Sequence, residues 1–235
     1  MQPVLDVVDM PTENVLYPGG AEEDLEYVYF PIDSVTSMLT LMVDGNAVEA
    51  GTVGREGMCG AQSAFGSARI LERWISQVPG TGVRIRVADF RAQFASNPTL
   101  RVVVQRWLHA YMSFLAQSTA CNRLHVLVER CARWLLLTHD RVGRDDFPLT
   151  QEFLALMLGV RRPGVSVAAS TLQNAGFITY SRGHVRIANA HRARQRLDDV
   201  QTATTFNVGR RRSNRSFGEA AAVVVHRQVR PVVEP

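Results

Sequence analysis

The stretch LTQEFLALMLGVRRPGVSVAASTLQNAGFITYSRGHVRI (residues 149–187) decides the interpretation of the chain, because it contains two short helices, a turn and a hairpin. Thr150 is placed to cap the first helix, and Gly159 supplies the left-handed residue that ends it. Pro163 fits the first turn of the second helix, where a missing N–H costs nothing. Helical spacing predicts the buried positions Phe153, Leu154, Met157, Leu158, Val165, Ala168, Ala169 and Leu172. The order helix, glycine-containing turn, helix predicts a helix-turn-helix unit.

The end of the same stretch predicts two strands, residues 177–180 and 185–187, and the segment that joins them has the size of a wing. Arg161 and Arg162 stand at the start of the second helix, where such a helix enters the major groove of DNA. A guanidinium group can bind guanine O6 and N7 with two hydrogen bonds, so we predict binding to double-stranded DNA. The alternative is a helical hairpin whose basic end is only solvated.

Charge is unevenly distributed along the 235 residues, whose formal net charge is +4. Residues 1–122 contain 8 arginines and 13 acidic residues, residues 123–200 contain 12 and 7, and residues 201–235 contain 6 and 2. The basic C-terminal half favours a partner rich in phosphate, because arginines near a nucleic acid release condensed counterions. A solvated basic surface is the alternative. Residues 201–235 show no helical or alternating pattern, which predicts a flexible basic tail.

Composition and segment patterns exclude several classes of protein. A hydrophobic fraction of 46% is typical of a globular protein, and no apolar run is long enough to span a membrane. The acidic N-terminus is unlike a signal peptide, so we expect a cytoplasmic protein without a membrane partner. The sequence shows no glycine-rich phosphate loop, no nucleophile paired with a histidine and no paired catalytic carboxylates. We therefore predict neither an enzyme nor a cofactor.

The three cysteines are scattered, and no CxxC pair is present. Cys59, Cys121 and Cys131 are therefore predicted to be reduced thiols with a structural role. Cys121 and His125 are four residues apart, but two ligands of mixed type are more often part of a core than of a metal site. No metal is expected.

The first 97 residues are divided into short strands by Gly, Pro and Asp. The segment SVTSMLTLMVDGNAVEAGTVG (residues 34–54) predicts a hairpin with its turn at Asp44, Gly45 and Asn46. The segment TGVRIRVADF (residues 81–90) predicts another strand, after which Asp89 is placed to cap a helix. Short strands at intervals of about ten residues indicate an antiparallel roll, barrel or sandwich.

After Pro98 the apolar spacing changes to three and four, which predicts one helix of roughly 23 residues. Its stripe comprises Leu100, Val103, Val104, Trp107, Tyr111, Phe114, Leu115, Ser118 and Cys121. The stripe could pack on the β module, but a coiled-coil seam between two copies explains the helix length better. The predicted dimer-interface residues are Val103, Trp107, Tyr111, Phe114 and Cys121. A further helix, from about Leu124 to His139, is followed by a loop with Gly143.

This arrangement resembles the Crp/Fnr family of bacterial transcription regulators. CNRLHVLVERCARWLLLTHDRVG and FPLTQEFLALMLGVRRPGVSVAASTLQNAGFITYSRG are similar to the family's sequences, and the resemblance covers about residues 12–190. It implies an α+β chain with an antiparallel, cyclic-nucleotide-binding-like β-roll (1–97), a dimerisation helix (98–122), a winged helix-turn-helix domain (123–200) and the tail (201–235). It also implies a homodimer on a two-fold symmetric operator, with RNA polymerase as a further partner.

The resemblance assigns DNA-binding roles residue by residue. The family's recognition-helix arginine corresponds to Arg162, and its phosphate-contacting Thr-Gln pair corresponds to Thr150 and Gln151. Better-known members have a Glu and a second Arg where this chain has Pro163 and Val167, so its operator is expected to differ.

Three residues add to this set of DNA contacts. Ser166 is the candidate for a second base or phosphate contact, Arg161 adjoins Arg162, and Arg182 in the wing is a candidate phosphate contact. The alternative function is a small-molecule sensor or adaptor whose winged helix binds protein.

The sensory half departs from relatives that bind cyclic nucleotides. Those relatives use a Gly-Glu pair for the ribose and, about ten residues later, an Arg-Ser or Arg-Thr pair for the phosphate. Here Gly60 is followed by Ala61, and neither Arg69 nor Arg73 is followed by Ser or Thr. Gly60, Arg69 and Arg73 remain the ligand-binding candidates, but cyclic AMP is not expected to bind and the effector is unknown. The N-terminal cysteine group of iron–sulfur members is also missing from the sequence.

Overall fold

A computed structural model describes residues 5–20, 24–66, 69–188 and residue 190. The strands are β1 (Asp6–Met10), β2 (Val15–Tyr17), β3 (Tyr27–Pro31), β4 (Val35–Leu41), β5 (Ala47–Val53), β6 (Arg73–Val78), β7 (Gly80–Arg86), β8 (Asp146–Pro148), β9 (Ile178–Ser181) and β10 (His184–Ile187). The helices are α1 (Val87–Ser96), α2 (Pro98–Leu124), α3 (Leu127–Val142), α4 (Gln151–Leu158) and α5 (Arg162–Asn174), with a 3-10 helix at Ala61–Phe65. The predicted tail, residues 201–235, lies outside the described residues. Within the described ranges, no helix combines the length and apolarity needed to cross a membrane.

The N-terminal half is a β-roll of two antiparallel sheets, ordered β1-β7-β3 and β2-β6-β4-β5. The predicted hairpin is present, because β4 pairs with β5 from Thr36 opposite Val53 to Leu41 opposite Ala47. Its core contains large buried side chains from both sheets and from α1, including Val28, Trp74, Ile85 and Phe90. The α+β fold class predicted from the sequence is therefore confirmed.

The boundary between β7 and α1 differs from the prediction. The helix begins at Val87, whose N–H donates to the Glu26 carbonyl at 3.0 Å. Asp89 consequently lies in the first turn of α1 and does not cap it. A carboxylate in that first turn still interacts favourably with the positive end of the helix dipole.

The long helix α2 is capped by Asn97, whose side-chain oxygen accepts hydrogen bonds from the N–H groups of Thr99 and Leu100. It lies on the β-roll of its own chain. A Cβ atom on Gly57 would stand 2.4 Å from the indole nitrogen of Trp107, so only glycine allows this approach. Tyr111 stacks on Trp107 with ring centroids 5.0 Å apart.

The predicted dimer stripe is thus largely covered within one protomer. Trp107, Phe114 and Cys121 are 5%, 7% and 1% exposed in the single chain, and Val103 and Tyr111 are half-buried. In the single chain, the stripe expected to form the dimer seam therefore packs mainly against the β-roll. Apolar spacing identifies the buried face of a helix but does not say which element covers it.

The helix that follows starts at Leu127 and not at Leu124. His125 and Val126 are extended, so the chain breaks between α2 and α3. Glu129 stabilises the new start, because its carboxylate accepts from the Val126 N–H at 3.2 Å and lies 2.9 Å from His125 Nδ1. Gly143 ends α3 with a φ of 70°, as predicted.

The C-terminal domain shares its core with one face of the β-roll. Its buried cluster includes Val35 and Leu39 of β4 and Ile75 and Val78 of β6. We call this contact the domain seam and define it by three side-chain hydrogen bonds between the β-roll and α3. The bonds are Trp134 Nε1 to Glu49 Oε1 at 2.9 Å, Gln77 Nε2 to Thr138 Oγ1 at 2.9 Å and Arg141 Nε to Glu56 Oε1 at 2.7 Å.

Candidate nucleic-acid interface

The first helix of the predicted unit, α4, is fixed at both ends. The Thr150 hydroxyl oxygen accepts from the Phe153 N–H at 3.1 Å, which is the predicted N-cap. Gly159 ends the helix with a φ of 61°, a conformation that favours glycine. Arg130 of α3 donates to the Leu158 carbonyl at the same end. These contacts fix the turn from which α5 departs.

The second helix, α5, begins with the two arginines. Arg161 is the extended residue before the helix, Arg162 is its first residue, and Pro163 follows in the first turn. The inward face consists of Val165, Ala168, Ala169 and Leu172, none more than 5% exposed. Both arginines are exposed, so the predicted helix-turn-helix is present and its basic end faces solvent.

Arg162 has a partner that the sequence did not reveal. Its Nε lies 2.9 Å from Glu152 Oε1, with the two side chains 63% and 61% exposed. An exposed ion pair of this kind contributes little to stability, about 0–1 kcal/mol. Glu152 therefore orients the guanidinium group, and this ion pair is weak enough for Arg162 to exchange it for another partner. The only local signal was an acidic residue in the first turn of α4, and nothing in the spacing places it beside Arg162.

Ser166 and Gln151 form a second contact between the two helices. The Ser166 hydroxyl donates to Gln151 Oε1 at 2.5 Å. Because a hydroxyl has a single hydrogen, Ser166 keeps only acceptor capacity, while the Gln151 amide keeps its N–H donors. The pair holds the Gln151 amide against α5 and leaves its N–H donors outside this contact.

The wing contains one strand more than predicted. β8 pairs with β10, placing Phe147 opposite Val185, and β10 pairs with β9. The sequence predicts only a loop after Gly143, and β8 lies within it. Tyr180 connects the wing to the start of α4, because its hydroxyl donates to the Leu149 carbonyl at 2.6 Å. Burial raises the pKa of this hydroxyl to about 12.

Arg182 lies at the tip of the wing. It and Gly183 form the turn between β9 and β10 with φ angles of 50° and 76°. Positive φ at both central positions matches the twist of a two-residue hairpin, although it is uncommon for arginine. The side chain is exposed beyond the sheet.

Residues 129–195 match the family model of the Crp-like helix-turn-helix domain. The C-terminal domain is a Crp-like helix-turn-helix domain. Among curated proteins, none matches the sequence of this chain.

Solved structures extend the similarity beyond the Crp-like domain. FixK2 from Bradyrhizobium japonicum is similar with a TM-score of 0.64 at 19% identity, over 86% of this chain and 99% of that one. A Crp/Fnr-family transcriptional regulator from Thermus thermophilus gives 0.61 at 19% identity, over 81% and 97%. The c-di-GMP responsive global regulator CLP from Xanthomonas campestris gives 0.61 at 14% identity, over 80% and 95%. The chain therefore has the fold of the Crp/Fnr transcriptional regulators, with a β-roll in front of the Crp-like domain.

The ligand candidates of the β-roll do not converge on one cavity. Gly60 is buried with a φ of 86°, and a Cβ there would stand 2.6 Å from the Tyr17 hydroxyl. Arg69 Nε lies 3.9 Å from Asp24 Oδ1 in an exposed pair. Arg73 begins β6, and its Nε is buried without a hydrogen-bond partner among the described residues. A cavity of about 180 Å³ near Tyr17 is lined by none of these three residues.

The cysteines have local packing roles in the part of the chain that the structure describes. All three are buried, and burial raises the pKa of the Cys59 and Cys131 thiols to about 12. The Cys121 thiol accepts from the Gln117 amide at 3.2 Å, whereas the His125 ring forms a hydrogen bond with the Glu129 carboxylate. No group of three or more His, Cys, Asp or Glu side chains among these residues could hold a metal ion.

Proposed function

We propose that this protein is a sequence-specific DNA-binding transcription regulator that acts as a homodimer on a two-fold symmetric operator. In this proposal α5 enters the major groove, Arg162 binds a guanine, and Arg182 in the wing binds a backbone phosphate. Thr150, Gln151 and Arg161 add phosphate contacts beside the groove.

The observation that carries the proposal is the exposed pair Arg161 and Arg162 at the start of α5 in a Crp-like helix-turn-helix domain. The hydrophobic face of α5 is already buried, so the helix can lie in a groove without exposing its core. The basic charge at this end of the domain favours a partner rich in phosphate. Arg161 and Arg182 form no ion pair among the described residues, which leaves both available to phosphates.

The homodimer is supported by the outer face of α2. The exposed residues on that face follow each other at alternating spacings of three and four: Val102, Gln105, His109, Met112, Ala116, Thr119 and Arg123. The spacing is that of a heptad repeat, in which Val102, Met112 and Ala116 are the apolar positions. We therefore place the dimer seam on this line, which we call the outer α2 line, and not on the stripe that faces the β-roll.

A groove beside the outer α2 line gives the second copy further surface. It lies between the β4–β5 hairpin and α2, and it is lined partly by Met42, Val48 and Leu115. Leu41, Met42 and Val43 at the tip of the hairpin are 44%, 55% and 109% exposed. An apolar hairpin tip continuous with a heptad line fits the α2 helix of a partner protomer.

The effector of this regulator is proposed not to be cyclic AMP. Ala61 lies at the position expected for the ribose-binding carboxylate, and its methyl group is buried in the 3-10 helix. An alanine cannot accept hydrogen bonds from ribose hydroxyls. An interaction with RNA polymerase remains a prediction of the family resemblance.

Selection of bound sites from a random DNA pool tests the proposal. We expect a site with two inverted half-sites, each containing a guanine contact, and a binding constant that falls steeply with salt. An enriched site with a single half-site would contradict the homodimer. Failure to enrich any sequence, with no salt-dependent binding to duplex DNA, would favour the adaptor function instead.

A further inference from the structure

Besides Pro163 in its first turn, the recognition helix α5 has one apolar side chain on its solvent face. The residues opposite its buried face are Pro163, Val167, Ser170 and Asn174, at spacings of four, three and four. All four are exposed, and Val167 is 67% exposed. Its isopropyl group therefore stands at the middle of the face that points away from the domain core.

Val167 lies outside the hydrophobic cluster that forms the core of the C-terminal domain. Arg162 and Ser166 lie on the edge of α5 that faces α4, where they contact Glu152 and Gln151. The Val167 backbone carbonyl accepts a hydrogen bond from the Thr171 hydroxyl at 2.9 Å. A valine in a helix also has no propensity advantage over a polar residue such as serine. An exposed valine is thus unexplained by packing, capping or helix stability.

The major groove offers one apolar group that a valine can recognise. Among the four bases, only thymine carries a methyl group at the groove edge, whereas the other groups there are hydrogen-bond donors and acceptors. Valine has no hydrogen-bonding group in its side chain, so it gains from a methyl group and loses when it covers an unpaired donor or acceptor. It therefore discriminates thymine from cytosine at the contacted position.

We propose that Val167 is a specificity-determining residue that reads a thymine through its C5-methyl group. This inference rests on the proposed DNA-binding function and adds an A·T base pair to each half-site, distinct from the guanine contacted by Arg162. Ser170, the next residue along the same face, reads no methyl group and serves as the matched control position.

The test removes single methyl groups from the DNA. Each thymine of the selected site is replaced in turn by deoxyuridine in both half-sites, and dissociation constants are measured by fluorescence anisotropy for the parent, Val167→Ser and Ser170→Ala. We expect one position at which the parent loses about fourfold in affinity per half-site, as for one buried methyl group. At that position Val167→Ser should show no loss on removal of the methyl group, and Ser170→Ala should show the same loss as the parent.

The outcomes separate this inference from the proposed function. If the parent binds the selected site specifically but tolerates deoxyuridine everywhere, the methyl contact is disproved while the DNA-binding function stands. A loss that is equally large in Val167→Ser would assign the methyl contact to another residue and would also overturn the inference. If no site is enriched at all, the proposed function itself fails. Val167 is exposed, so Val167→Ser should keep the parent's melting temperature, which circular dichroism checks.

Discussion

Trp134 donates its indole N–H to the Glu49 carboxyl group across the domain seam at 2.9 Å. The tryptophan belongs to α3 of the Crp-like domain and the glutamate to β5 of the β-roll. One polar contact therefore connects the β-roll directly to the helix that leads into the helix-turn-helix unit. Movement of the two domains relative to each other would have to break it.

The hydrogen bonds of this contact continue into the β-roll. The Ser37 hydroxyl lies 2.7 Å from Glu49 Oε2 and 2.8 Å from Gln77 Oε1, and the Gln77 amide nitrogen donates to Thr138. Ser37 has a single hydrogen and cannot donate to both oxygens. Two arrangements remove the conflict: a protonated Glu49 that donates to Ser37, or a rotated Gln77 amide that donates to Ser37 while Ser37 donates to an ionised Glu49. In both, hydrogen bonds run continuously from Trp134 through Glu49, Ser37 and Gln77 to Thr138.

The stability of the fold should decrease as pH rises through the titration of Glu49. Burial raises the pKa of Glu49 from 4.5 to about 7, although hydrogen bonds from Ser37 and Trp134 and the charges of Arg141 and Arg133 oppose the shift. Between these two values the unfolded chain releases the proton while the folded chain keeps it. The free energy of unfolding attributable to Glu49 therefore decreases through this window, by at most roughly 1.4 kcal/mol per pH unit, and levels off above about pH 7. Urea denaturation at pH 5.5 and pH 8.0 measures the change.

Two variants isolate the contribution of this carboxyl group. Glu49→Gln keeps an acceptor for Trp134 but cannot ionise, so it should flatten the pH dependence and exceed the parent in stability at pH 8.0. Glu26→Gln removes an exposed carboxylate that pairs with Arg86 on the surface, and it should leave the dependence unchanged. Parallel stability curves for the parent and Glu49→Gln would show that Glu49 is not the titrating group.

A glycine under the long helix should be more sensitive than a glycine inside the recognition helix. In Gly57→Ala the new methyl group would stand 2.4 to 2.8 Å from the Trp107 indole, which forces the ring or the loop after β5 to move. We expect a loss of about 1–3 kcal/mol, as in other overpacked cores. Gly164→Ala meets only the end of the Leu127 side chain at 3.1 Å and gains helix propensity, so its stability should be unchanged or higher. Thermal unfolding compares the pair, and equal losses would contradict the close approach.

The DNA-binding half was largely predictable because its signals are local. The Thr150 cap, the Gly159 stop and the position of Pro163 each follow from the conformation of one or two residues. The buried faces of α4 and α5 followed from spacing alone. The strand β8 was missed because three residues that end in a proline carry no periodic signal.

The arrangement of α2 was not predictable because it depends on tertiary contacts. The apolar stripe was correctly assigned to one face, but the close approach allowed by Gly57 directs that face to the β-roll. The Glu152 partner of Arg162 was likewise hidden, since the two residues are brought together by the turn between α4 and α5. The spacing of apolar residues indicates which face of a helix is buried. Only the folded chain shows which element that face contacts.

The two faces of α2 should respond differently to substitution. Met112 is 69% exposed on the outer α2 line, so Met112→Asp should place two carboxylates against each other at the dimer seam and yield monomers of 26.1 kDa. Light scattering measures the mass, and circular dichroism should show an intact fold.

Phe114→Ala is the contrasting variant on the buried face. Phe114 packs under the guanidinium groups of Arg133 and Arg141, whose central carbons lie 5.5 and 5.1 Å from its ring centroid. Its removal should destabilise the protomer by about 3–5 kcal/mol and leave the dimer mass unchanged below the melting transition. A folded monomer from Phe114→Ala together with a dimeric Met112→Asp would show that the dimer seam lies on the apolar stripe of α2 and not on the outer α2 line.

The two exposed arginines of the DNA-binding unit should affect affinity in different ways. If Arg162 reads a guanine, Arg162→Ala removes a bidentate contact worth about 1–3 kcal/mol, a loss of roughly five- to 150-fold at the selected site with little change in nonspecific binding.

Arg182 has a φ of 50°, so asparagine, which tolerates this conformation, is the suitable replacement. Arg182→Asn should weaken binding to all sequences alike and reduce the slope of log K against log salt concentration by about one. Anisotropy titrations on specific and nonspecific duplexes at several salt concentrations give both quantities. A specificity ratio that falls for Arg182→Asn and holds for Arg162→Ala would mean that the wing, and not the start of α5, reads the base.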